Sequence, residues 1–134
     1  MKSSVGHLQV NIDPQNLSFY KDLFDFMGWS VLYEDENMIG VGSEGASLWF
    51  TPPLKGTQQN HYDGVGLNHL ALSVPEQNMV DQATDYLQKR GVQPLFNTPC
   101  HRPDFSSEPN TYYQVMFETP DRLLLEVVYT GLKS

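Results

Sequence analysis

Three residues carry the chemistry that this sequence offers most plainly: His7, His69 and Glu126. Imidazole and carboxylate both bind divalent transition metals, and a set of two histidines and one carboxylate leaves coordination positions open for a substrate. Each histidine sits in an alternating segment that feeds directly into a helical pattern. His7 precedes the helix-ending Gly28 by 21 residues, and His69 precedes Gly91 by 22. Glu126 stands between Leu125 and Val127 in an otherwise apolar run. A carboxylate there must be exposed, paired or metal-bound, because burying it alone is costly. Taken singly, a histidine on a strand is ordinarily a satisfied surface or core residue, and a glutamate near a C-terminal strand faces solvent. The matched positions of the two histidines tie the three together.

The elements that must hold these residues are written twice. VGHLQVNI, residues 5–12, places Leu8, Val10 and Ile12 on one face and His7, Gln9 and Asn11 on the other, the period of a half-buried strand. Asp13 suits a cap and Pro14 the first helical position. Leu17, Tyr20, Leu23, Phe24 and Met27 then recur at helical spacing, and Gly28 ends the helix. WSVLYE, MIGVGS and ASLWFT read as three short strands. Residues 52–64, rich in Pro, Gly, Gln and Asn, read as a linker. The pattern restarts with VGLNHLALSV at 65–74, which places His69, Ala71 and Ser73 on one face. Pro75 and Glu76 open a helix bearing Met79, Val80, Ala83, Tyr86 and Leu87. VQPLF is a strand, 97–110 a long loop, NTYYQVMFE a strand, and LLLEVVY the last strand after a turn at 119–122. The repetition predicts an α+β fold of two βαβββ modules, about 5–51 and 65–130, in a single domain over 1–134.

Composition bounds the rest. The 134 residues fit one domain with a sizeable core, and 40% are hydrophobic. A net charge of −8 with scattered Lys and Arg argues against a nucleic-acid partner. No apolar run is long enough to span a bilayer, and the first residues do not read as a signal peptide, so no membrane role and a cytoplasmic location are expected. Cys100 is the only cysteine, which leaves a free thiol. Phosphate-binding loops and nucleophile elbows are absent.

The segments GHLQVNI, LNHLALSV and YYQVMFETPDRLLLEVVY resemble the vicinal oxygen chelate superfamily, which includes glyoxalase I, extradiol dioxygenases and fosfomycin- and bleomycin-resistance proteins. The resemblance covers nearly the whole chain. It implies that the modules form a cupped mixed β-sheet with helices on the outer face. It also implies one divalent metal ion (Fe, Mn, Zn or Ni) held by His7 and His69 at the module openings and Glu126 at the close. Trp49 takes the fourth place, where glyoxalase I has a further ligand. The Thr119-Pro120-Asp121-Arg122 turn departs from the common Asp-Pro-Asp-Gly, which predicts an altered turn type.

Trp49, Tyr33, Tyr113, His101 and Arg102 are candidate substrate-pocket residues, with only one of Tyr112 and Tyr113 able to face the cup. Ordinary packing accounts for some of these rings, and His101 and Arg102 could equally be solvated loop residues. The resemblance implies a metal-dependent lyase, isomerase or dioxygenase acting on a small molecule with neighbouring oxygens, with Glu126 as a possible base and a homodimer as the assembly. The alternative is a metal-free protein that sequesters a small molecule, of the bleomycin-resistance type.

Overall fold

A computed structural model describes residues 1–56 and 58–134. Residue 57, in the expected 52–64 linker, lies outside the described residues. The chain divides into two compact units, 1–59 and 60–134. Each is a βαβββ module around a four-stranded mixed sheet, and the fold class is α+β.

In the first module, β1 (His7–Asn11) leads through a single 3-10 turn (Pro14–Asn16) into α1 (Leu17–Phe26). The Asp13 carboxylate accepts from the Gln15 amide, which satisfies a donor that helix geometry leaves free at this end. Gly28 follows α1 at φ +82°, a left-handed conformation that costs a residue with a Cβ about 1–2 kcal/mol. The chain then forms β2 (Ser30–Glu34), β3 (Ile39–Ser43) and β4 (Ala46–Thr51). The strand order is β1-β4-β3-β2, with β1 and β4 parallel and the other pairs antiparallel.

Alternation along these strands decides the core. Phe50 stacks on Tyr20 at 4.5 Å and meets Phe24 at 5.4 Å. Ile39, Val41 and Leu48 are buried with them. Burying each such side chain contributes about 1.5–3 kcal/mol. His7, Gln9, Asn11, Ser47, Trp49 and Thr51 therefore share the face turned away from α1, and side-chain bonds from Gln9 to Thr51 and from Thr51 to Asn11 run across it.

The second module repeats the plan with β5 (Leu70–Ser73), α2 (Asn78–Lys89), β6 (Leu95–His101), β7 (Asn110–Glu118) and β8 (Leu124–Leu132), in the order β5-β8-β7-β6. Gly91 closes α2 at φ +76°. Val80, Ala83 and Leu87 of α2 are buried, as are Val115, Phe117, Leu125 and Val127 of β7 and β8. The hydroxyl of Tyr113, which shares the face of Val115 and Phe117, donates to Asp81 of α2. That face is therefore the helix side, and Tyr112, Gln114, Met116, Leu124 and Glu126 occupy the opposite one.

Beyond β5, which covers only Leu70–Ser73 of the expected 65–74 strand and leaves His69 just before it, three segments differ from the sequence reading. The first five residues of the expected 97–110 loop are strand: β6 runs to His101. Phe96 and Asn97 take φ of +57° and +58°, and the register to β7 breaks between Leu95 and Cys100. That bulge and Pro99 erase the period-two pattern by which strands are recognised. The end of the expected linker belongs to the second module. Tyr62 is buried with Met116 and Leu124, and its hydroxyl donates to Glu118. The third is the turn before β8: Arg122 itself adopts φ +58°, so an arginine holds the left-handed position that a glycine would fill without strain. Thr119 stabilises that turn by accepting from the Asp121 and Leu123 amides. Among the described residues, no helix is long and apolar enough to cross a membrane.

Candidate functional site

The second module concentrates the polar chemistry on the face away from α2. Glu126 is 1% exposed there, in register between Ala71 of β5 and Met116 of β7. Two donors from β7 hold one of its oxygens: the Tyr112 hydroxyl and the Gln114 amide each approach Oε2 at 2.6 Å. The other oxygen, Oε1, lies 3.1 Å from His69 Nε2. These partners offset the several kcal/mol that burying a carboxylate costs. Burial and, secondly, the hydrogen bond to Glu126 push the Tyr112 hydroxyl up to about 12.

The partners of His69 fix its tautomer. Asn68 donates through Nδ2 to the Tyr62 carbonyl at 3.1 Å, so its Oδ1 is the atom facing His69 Nδ1, at 2.8 Å. An amide oxygen only accepts, so Nδ1 carries a proton. A neutral His69 then turns the lone pair of Nε2 toward a carboxylate oxygen. Two acceptors at 3.1 Å require something positive between them, a proton or a metal ion.

The spacing of these two donors is compatible with one metal ion. Donors about 2.1 Å from one ion stand about 3.0 Å apart at octahedral angles and about 3.4 Å apart at tetrahedral ones. The separation of 3.1 Å lies within that interval. The Asn68 contact is the outer-shell bond that typically orients a metal-binding histidine. Within neither module do three His, Cys, Asp or Glu side chains gather among the described residues. His7, the third expected ligand, stands exposed on β1 of the first module, in register with Ser47.

A cavity of about 490 Å³ opens beside Glu126, bordered by His69, Gln114 and Arg102 and by the apolar Phe96, Phe105 and Met116. Arg102 donates through Nε to Gln114 Oε1 at 2.8 Å and through Nη2 to the Phe96 carbonyl at 2.8 Å. Gln114 thus accepts from the arginine and donates to the glutamate, so its amide has a single orientation.

The remaining candidates divide by strand parity. Tyr113, expected in the pocket, lies on the α2 side, where burial and Asp81 push its hydroxyl up to about 12. Tyr112 takes the Glu126 side instead. His101 borders the cavity, but its ring lies against Tyr113 at 4.5 Å and its Nδ1 meets Thr111 on the α2 side. In the first module, Trp49 and Tyr33 are neighbours with ring centroids 6.5 Å apart. Trp49 lies over Gly40, where any Cβ would overlap the indole, and its Nε1 donates to Ser47 at 3.0 Å. Gln114 and Asn68 were not singled out in the sequence. Gln114 alone breaks an apolar run on β7, which is a usable signal; Asn68 has only its adjacency to His69.

No protein-family model matches the chain, and no curated protein matches it in sequence. Solved structures do match. A candidate glyoxalase from Bacillus halodurans superposes with a TM-score of 0.80 at 23% identity, covering 96% of each chain. The chain has the vicinal oxygen chelate fold. A glyoxalase/bleomycin resistance protein from Albidiferax ferrireducens T118 shares that fold with a TM-score of 0.73 at 17% identity, covering 95% of this chain and 99% of the other. So does a lactoylglutathione lyase from Agrobacterium tumefaciens, with a TM-score of 0.65 at 15% identity over 96% and 94% of the two chains.

Proposed function

We propose that this protein is a glyoxalase-like, divalent-metal-dependent enzyme acting on a small molecule with neighbouring oxygen atoms, as a lyase, isomerase or dioxygenase. The observation that carries the reading is the buried Glu126 carboxylate. Two β7 donors pin one of its oxygens, and the other faces the lone-pair nitrogen of His69. In this reading His69 and Glu126 hold the ion, with His7 as the third ligand that the resemblance implies.

A divalent ion held there supplies Lewis acidity toward the substrate's oxygens, and ferrous iron extends the range to dioxygenase chemistry. The protein's own groups do the remainder. Tyr112 and Gln114 keep the carboxylate plane from rotating. Asn68 keeps the imidazole in the tautomer that leaves Nε2 free. Glu126 Oε1, which β7 does not hold, would be the atom to take up a substrate proton when it is not engaged with the ion. Arg102, at the edge of the cavity, supplies a further proposed substrate contact. A cytoplasmic homodimer is part of the same proposal, and sedimentation of the purified protein tests the assembly.

The test is metal content and calorimetric titration with Mn²⁺, Zn²⁺, Ni²⁺ and Fe²⁺. Wild type is expected to bind one ion per site, and His69→Ala, Glu126→Ala and His7→Ala each to weaken binding. Equally poor binding by wild type and all three variants would overturn the enzyme reading. It would leave the second one, a metal-free protein that sequesters an apolar compound, which the Phe96, Phe105 and Met116 lining favours.

A further inference from the structure

Among the described residues, Arg102 has no acidic partner, although the protein is acidic. The chain has 16 Asp and Glu against 8 Lys and Arg. Yet among the described residues the Arg102 guanidinium is ion-paired to no carboxylate. It is half-buried at the cavity, and its two acceptors, Gln114 Oε1 and the Phe96 carbonyl, are both neutral. Those bonds lock the guanidinium plane without neutralising it. They use Nε and one hydrogen of Nη2. The hydrogens of Nη1 and the second hydrogen of Nη2 remain, the paired donors that suit a planar, two-oxygen anion.

The surroundings limit what that anion can be. Phe96 and Phe105 border the same cavity and are 51% and 67% exposed. Exposed rings beside a fixed cation suit a ligand with an apolar body and a charged end. Phe96 also holds φ +57°, a strained backbone for an aromatic residue, and its carbonyl is one of the two groups that fix Arg102. Asp63 and Asp104 border the cavity as well. Their charges oppose a dianion more than a monoanion, which favours a carboxylate over a phosphate.

We propose that Arg102 is the anion-recognition residue of this cavity, and that the substrate is a small organic acid whose carboxylate it grips while Phe96 and Phe105 cover the apolar body. The proposal deepens the reading above and rests on it in taking the cavity as the substrate site. It does not require the metal. Gln114 gives the grip a consequence: it bonds Arg102 on one side and Glu126 on the other, so the group that recognises the acid also positions the carboxylate.

The experiment uses the full chain after treatment with a chelator. Calorimetry measures phenylacetate, phenylacetamide, which is the same body without the charge, and phenyl phosphate. Wild type is expected to bind phenylacetate about tenfold more tightly than phenylacetamide, as a charge-assisted bidentate contact predicts, and more tightly than phenyl phosphate. Arg102→Met should bind acid and amide alike. Arg102→Lys, which keeps the charge but not the fork, should fall between. Thermal midpoints near wild type establish that both variants fold, and the Lys variant keeps the test decisive if the Met variant does not. No acid binding by wild type, equal affinity for acid and amide, or an acid preference that survives in a folded Arg102→Met would each overturn the proposal. A preference for phenyl phosphate would overturn the assignment of a carboxylate. Because the protein is stripped, an acid preference that holds while the metal titration fails removes only the metal reading. The reverse pattern removes only this one.

Discussion

Tyr112 and Tyr113 are one position apart and meet opposite environments. Strand alternation sends Tyr112 to Glu126 and Tyr113 to Asp81 on α2. Burial, and then Asp81, push the Tyr113 hydroxyl up to about 12. An unfolded tyrosine titrates near pH 10. Above that pH the unfolded chain has lost a proton that the folded chain keeps, so stability falls as pH rises. The contribution is fully present below about pH 10 and is lost toward about pH 12. Tyr113→Phe should therefore cost about 1 kcal/mol at neutral pH, the worth of one hydrogen bond. The gap between wild type and variant should narrow from pH 9.5 upward, to about pH 11.5. Urea unfolding across that range checks it, and a gap constant with pH would count against the assignment.

At the scale of elements, β6 shows how a strand survives without its pattern. Where the ladder breaks, the Thr98 hydroxyl accepts from the Met116 amide at 2.9 Å and donates to the Leu95 carbonyl at 2.6 Å. A side chain thus replaces a missing backbone partner at a buried position. Thr98→Val keeps the shape and leaves the Met116 N–H unsatisfied, which should cost about 1–3 kcal/mol. Thr98→Ser should retain most of the stability. Urea midpoints at unchanged slope measure both, and a Val variant as stable as wild type would refute this role. The bulge also matters for the site. It returns the chain to β7 so that Arg102 falls on the Gln114 side while the His101 ring falls on the other.

At the scale of the whole molecule, the dominant quantity is the net charge of −8. Self-repulsion of that size opposes the compact state and is screened by salt. Raising NaCl from about 0.05 M to about 0.5 M shortens the screening length to a few ångströms. The thermal midpoint should rise by about 2–4 °C, and a midpoint that falls would show that attractive surface pairs dominate instead. Duplication is the other whole-molecule property. Both modules pair their first strand parallel to their last, and both end their helix on a glycine at positive φ.

The sequence by itself determined the duplicated βαβββ plan. Hydrophobic period, capping by Asp13 and stops at Gly28 and Gly91 are local properties, legible from neighbours in the chain. It also placed His7, Gln9 and Asn11 on the face away from α1, because alternation needs no knowledge of the partner strand. Which of two adjacent tyrosines meets Glu126 depends on where α2 packs, and only the tertiary structure decided it. The same holds for β6, whose bulge and proline hide its period, and for the Arg102–Gln114–Glu126 line, which joins residues 12 positions apart at each step through strand register. Polar contacts across a sheet are set by register, and register is a property of the folded pair rather than of either segment.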